Sequence, residues 1–218
     1  MKKLRLGEFE RNSLVVFAIT MIANVLSYLY QIVMGNVLTP ADYGTVNTLL
    51  SLSVVVGVPS GIISALTATY TAKYHAHGET FAIAAFMHGM LRVAAVLAAI
   101  VFVVGALLSR PIAHVLQIDD PHYVTVVMVL VASNCLGPVF SSTLQGVKRF
   151  IPYSMNSVLS FAFRLLLGVI FVWLGWGIPG ALAALILAAC LTMLYCLFKS
   201  RDLFFAPVKE KLALDRTE

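Results

Sequence analysis

Two arginines, Arg92 and Arg164, lie inside long apolar runs, whereas every acidic residue lies outside such runs. Glu8, Glu10, Asp42, Glu79, Asp119, Asp120, Asp202, Glu210, Asp215 and Glu218 all fall in the charged or polar segments between and beyond them. A charge at the centre of a membrane helix costs about 2.5–3.5 kcal/mol on insertion scales, so it persists where it meets protein, water or a counter-charge. Arg92 is close to the start of its run at Ala85, near enough to the surface to snorkel. Arg164 stands about 13 residues, or roughly 20 Å of helix, from the start of its run at Ile151, which is too deep for that escape. Without carboxylates at membrane depth, a bundle is poorly suited to carrying organic cations or relaying protons. A buried guanidinium suits an anion instead, and phosphate matches its planar fork.

Polar residues recur at helical spacing along four of the runs. The first carries Asn24, Ser27, Tyr28 and Gln31; the second Ser60, Ser64, Thr67 and Thr71; the fourth Asn134, Ser141 and Gln145; the fifth Tyr153, Ser157, Ser160, Arg164 and Gly168. Each set falls on one helix face. Hydrogen bonding across a packed bundle, at about 0.6 kcal/mol per pair, accounts for any single stripe. Four stripes with an arginine read as the wall of a hydrated cavity. Its candidate substrate-binding residues are Arg164, Ser160, Ser157, Asn134, Asn24, Gln31 and Arg92.

Two runs contain helix breakers, Gly57-Val-Pro-Ser-Gly61 in the second and Gly137-Pro138 in the fourth. Proline removes a backbone donor and kinks a helix, which is tolerated at membrane depth where freed carbonyls face protein or water. Gly57, Pro59, Gly61, Gly137 and Pro138 are therefore candidate hinge positions. The same residues also fit a static bend with close packing, since Gly57 and Gly61 form a G-x-x-x-G pair.

The elements that must position these groups follow from composition. With 60% hydrophobic and 11% charged residues and a mean hydropathy of +0.92, the chain is far more apolar than a soluble domain. Runs of spanning length occupy residues 13–34, 45–70, 85–108, 124–144, 151–174 and 178–198. The expected fold is an all-α polytopic membrane bundle of six helices, with a charged segment over 1–12 and a charged tail over 199–218. The first run is too long, and too polar at its far end, for a cleaved signal peptide.

Basic residues set the orientation. Lys2, Lys3, Arg5, Arg11, Lys73, Lys148, Arg149 and the tail basics fall on one side, against Arg110 alone on the other. Both termini are therefore expected to be cytoplasmic, with Trp173 and Trp176 in an outer aromatic belt. Because the basic residues are scattered between apolar runs, the net charge of +5 points to topology and not to a nucleic-acid partner.

Other chemistry is weakly signalled. Cys135, Cys190 and Cys196 lie in apolar runs without C-x-x-C spacing and read as packing residues. His114, Asp119, Asp120 and His122 match no strong metal-ligand pattern and read as a solvated loop, as do His75 and His77 beside Gly78. There is no G-x-S-x-G, P-loop or H-E-x-x-H motif. No metal, cofactor or enzymatic activity is expected.

Three segments carry a family resemblance. Leu38-Thr-Pro-Ala-Asp-Tyr-Gly44, Gln145-Gly-Val-Lys-Arg-Phe150 and Gly175-Trp-Gly-Ile-Pro-Gly-Ala181 resemble segments of the polysaccharide transporter branch of the multidrug/oligosaccharidyl-lipid/polysaccharide flippase superfamily, in matching order along the chain. The resemblance implies a flippase of the bacterial inner membrane that moves undecaprenyl-pyrophosphate-linked oligosaccharide for surface polysaccharide assembly. Such a cargo pairs an anionic pyrophosphate with a polar sugar chain. Members of the branch have twelve to fourteen helices in two lobes, and six helices correspond to the N-terminal lobe. A homodimeric half-transporter, one subunit of a pair with a second six-helix partner, and a truncated product remain open. So do a non-transporting membrane scaffold and, against the missing carboxylates, a cation/drug antiporter.

Overall fold

In lipid, backbone polar groups find no water, so apolar runs of this length satisfy them internally as helices. The computed structural model describes the backbone of residues 2–118 and 120–204 and the side chains of residues 13–118 and 120–203. Over these residues the order is α1 (Lys2–Val37), α2 (Pro40–Val56), α3 (Val58–His77), α4 (Thr80–Leu107), α5 (Ser109–Val115), α6 (Pro121–Gly146), α7 (Phe150–Trp173) and α8 (Gly177–Phe204). Five helices are long and apolar enough to cross a membrane, and six spans result if the bent pair α2 and α3 is one of them. The protein is a multi-pass, all-helical membrane protein.

Several boundaries differ from the sequence reading, each for a local reason. Helix α1 extends back over the segment expected to precede the first span. The loop expected over 35–44 shrinks to a tight corner. Thr39 caps α2 by accepting the Asp42 N–H at 3.2 Å and donating its hydroxyl to Asp42 Oδ2 at 2.8 Å, with Pro40 in the first turn. The loop expected over 109–123 contains α5, and α6 starts three residues before the expected 124 because Asp120 Oδ1 accepts the His122 N–H at 2.9 Å. Asp119 and the tail beyond residue 204 lie outside the described residues.

The two expected breaks behave differently. Helices α2 and α3 meet at 48° around Gly57, where a Cβ would lie 2.8 Å from the Ser53 carbonyl oxygen and Pro59 donates no N–H. Helix α6 runs unbroken through Pro138. The interruption expected at Gly137-Pro138 is thus corrected to a continuous helix in which one ladder hydrogen bond, from residue 138 to the Asn134 carbonyl, cannot form.

Helix α6 is the hub. It packs against α3 and α4 on one side and α8 on the other, and α7 and then α1 continue outward from α8. Its inner face buries Val124, Val127, Met128, Val131, Cys135 and Val139. Close approaches explain particular glycines: a Cβ on Gly146 would sit 2.7 Å from Thr71 Cβ and 2.9 Å from the Ala68 carbonyl oxygen, and one on Gly168 would collide with the Met34 methyl. The turn from α7 to α8 uses Gly175 at φ 83° and Gly177 at φ 51°, with Trp176 stacked on Phe171 at 5.2 Å. Between α6 and α7 the left-handed position is Lys148, φ 60°. There Arg149 forks onto Asp202 of α8, at 2.6 and 3.2 Å, and ties that turn to the helix end.

Candidate functional site

Asn156, Ser160 and Arg164 follow one another at i+4 spacing and form one row along α7. Helices α6 and α7 both lean on α8 but touch each other little. The row therefore faces a cavity of about 590 Å³ instead of a neighbouring helix. The α2–α3 bend contributes Ser53, Gly57 and Ser60 to its wall, α6 contributes Ser133, Asn134, Gly137, Pro138 and Ser141, and α8 contributes Thr192 and Cys196.

Arg164 gives the cavity its charge. Its guanidinium carbon lies 5.6 Å from the centre of the Phe161 ring, a cation–π contact from the preceding turn. Tyr30 of α1 is within electrostatic range. Arg164 Nε is buried without a hydrogen-bond partner, and so are Asn156 Oδ1 and Tyr30 Oη. Among the described residues no Asp or Glu lines the cavity. A fixed cation with an open donor in a neutral polar wall attracts an anion.

Of the residues singled out in the sequence, the cavity brings together Arg164, Ser160, Asn134, Gly57, Gly137 and Pro138. The others lie outside this lining. Ser157, one position and so about 100° of helix beyond Asn156, is exposed. Helix α1 turns Ala23, Tyr30 and Met34 inward, which leaves Asn24 and Gln31 on its exposed face. Helix α4 buries Met87, Ala94 and Ala98, which turns Arg92 outward. Pro59 and Gly61 belong to the bend but not to the lining.

The stripe on α3 divides. Ser60 reaches the cavity, Ser64 Oγ lies 2.7 Å from Ser142 Oγ of α6, and Thr67 and Thr71 are fully buried with unpartnered hydroxyls. Most of this stripe is a helix-packing face. Between α5 and α6, Asp120 serves as the cap of α6. Sequence reasoning missed Asn156, Ser53, Ser133 and Thr192. The i, i+4, i+8 row of Asn156, Ser160 and Arg164 was available as a signal, but nothing in the sequence distinguished Thr192 from a packing threonine.

Two solved structures share this fold. One is a MOP superfamily transporter from Pyrococcus furiosus, described as having a binding pocket of reversed polarity that suggests a different function; it matches with a TM-score of 0.68 at 17% identity. The other is a multidrug resistance MATE family transporter of the same superfamily in an outward-facing conformation, with a TM-score of 0.66 at 18% identity. Each match covers 89% of this chain and 45% of the transporter, so the chain spans under half the length of either. No curated protein matches the chain. The family model described as "Polysaccharide biosynthesis protein" matches residues 9–215, and with nearly the whole sequence inside that match the chain belongs to this family.

Proposed function

We propose that the chain is the N-terminal lobe of a flippase that moves undecaprenyl-pyrophosphate-linked oligosaccharide across the bacterial inner membrane for surface polysaccharide assembly. The observation that carries this reading is Arg164, a cation with an open donor in a cavity whose other polar groups are neutral. A pyrophosphate supplies the missing acceptor, and membership of a polysaccharide biosynthesis family supplies the context. In this reading a second lobe, from another copy of the chain or a second six-helix subunit, completes the transport path. The distribution of basic residues supports cytoplasmic termini.

The test is replacement of Arg164 in cells whose surface polysaccharide depends on this protein. Arg164→Ala is expected to abolish surface polysaccharide while the protein inserts at normal abundance. Arg164→Lys is expected to keep part of it, because the charge survives but the bidentate fork does not. Normal polysaccharide from Arg164→Ala would overturn the anion-holding role and favour the non-transporting scaffold.

A further inference from the structure

Helix α1 packs on α7 and meets α2 little, so most of its circumference is exposed. That exposed surface is not uniform. Ala23, Tyr30 and Met34 mark the inward face. Roughly 220° round the helix from Ala23 lies a flank of Ile22, Val25, Leu29 and Ile32, all exposed and all apolar, which lipid tails satisfy. Roughly 130° round lies a second flank, where Leu14, Phe17, Met21, Asn24, Tyr28 and Gln31 follow one another at alternating steps of three and four, every one exposed. This is the heptad spacing of a left-handed helix pair. From Leu14 to Gln31 the seam covers about 25 Å of helix, most of the roughly 30 Å hydrocarbon core. It stops at Gly35, where a Cβ would lie 3.7 Å from the Tyr43 ring of α2.

The side-chain amides of Asn24 and Gln31 have no partner among the described residues. Both lie within the spanning stretch Ser13–Val37, where lipid tails offer no hydrogen bond. An amide carries two donors and an acceptor, so it complements a second amide at the same depth. The seam holds no charge, which gives a charged partner nothing to pair with. Copies of one chain insert in one orientation, so two α1 helices meet in parallel about a two-fold axis along the membrane normal, and each residue faces its own counterpart. We infer that this flank of α1 is an interface between two copies of the chain, in which Asn24 pairs with Asn24 and Gln31 with Gln31. The two amide layers, one heptad apart, fix the register as a buried polar residue does in a coiled-coil seam. Each transporter of similar fold has more than twice the length this chain matches, and a second copy supplies a second lobe. The inference deepens the two-lobe part of the transport reading and is independent of what the Arg164 cavity holds.

Energy transfer between donor- and acceptor-labelled copies of the full chain in phospholipid vesicles, read as the protein is diluted into lipid, tests it. A dimer is expected. Asn24→Leu and Gln31→Leu should each weaken association about tenfold, although each makes the flank more apolar. Asn24→Gln should keep most of the association, and Val25→Ala on the apolar flank should leave it unchanged. A second measurement uses disulfide cross-linking in a Cys190→Ala background. Asn24→Cys and Tyr28→Cys should join two copies under mild oxidation, whereas Val25→Cys and Leu29→Cys should not. A monomer at every dilution, unchanged association in both leucine variants, or equal cross-linking from the apolar flank overturns the inference. If Arg164→Ala abolishes export in a chain that is monomeric, only the interface fails. If the amide-dependent dimer holds while Arg164→Ala exports normally, only the anion-holding role fails.

Discussion

Helices α3 and α7 both carry polar residues at helical spacing, yet the two rows meet opposite fates. On α3, Ser64, Thr67 and Thr71 are pressed against α6, where Gly146 and Ser142 leave room for a close approach. On α7, Asn156, Ser160 and Arg164 face space, because α8 holds α6 and α7 apart. What separates them is the partner helix. Small residues opposite the α3 row let the backbones meet, whereas on α7 the row stays open although Ser133, Gly137 and Ser141 line the facing wall, because α6 and α7 both pack on α8 and little on each other. A polar stripe in a membrane helix thus becomes an interface or a cavity according to residues tens of positions away in sequence.

The comparison can be broken most forcefully at its closest contact. Gly146→Val places atoms inside the distances now occupied by Thr71 and Ala68, and overpacking of this kind costs about 1–3 kcal/mol. Folded yield and thermal midpoint in detergent should both fall. A normal midpoint would show that α3 and α6 are less tightly apposed than described.

A milder contrast sharpens the distinction. Thr67→Val replaces a buried, unpartnered hydroxyl by a methyl of the same shape, so stability should stay level or rise by up to about 1 kcal/mol with export unchanged. Ser160→Val on the cavity wall should leave stability unchanged and reduce export. If the two substitutions exchanged these effects, the assignment of interface and cavity would be reversed.

The smallest expected effect lies in the single hydrogen bond between the two serines. A double-mutant cycle of Ser64→Ala and Ser142→Ala should give a coupling of about 0.6 kcal/mol. Zero coupling would mean that the 2.7 Å approach contributes nothing measurable, and the α3–α6 interface would then rest on shape alone.

The pattern of the chain, read alone, reached the all-helical class, the membrane setting and the place of Arg164 midway along an apolar helix of spanning length, because hydropathy and span length are local properties imposed by lipid. It also located the bend at Gly57, since glycine and proline act on their own backbone. Pro138 shows the limit of that logic. The same residue type leaves α6 unbroken beside the cavity.

Tertiary structure alone decided which polar faces are exposed, packed or hollow. Asn24 and Gln31 follow helical spacing as faithfully as Asn156 and Ser160, yet α1 packs on α7 through Ala23, Tyr30 and Met34 and turns its amides outward. Periodicity fixes which residues share a face. It says nothing about what that face meets, because the neighbour's distance depends on side-chain volumes contributed by other helices.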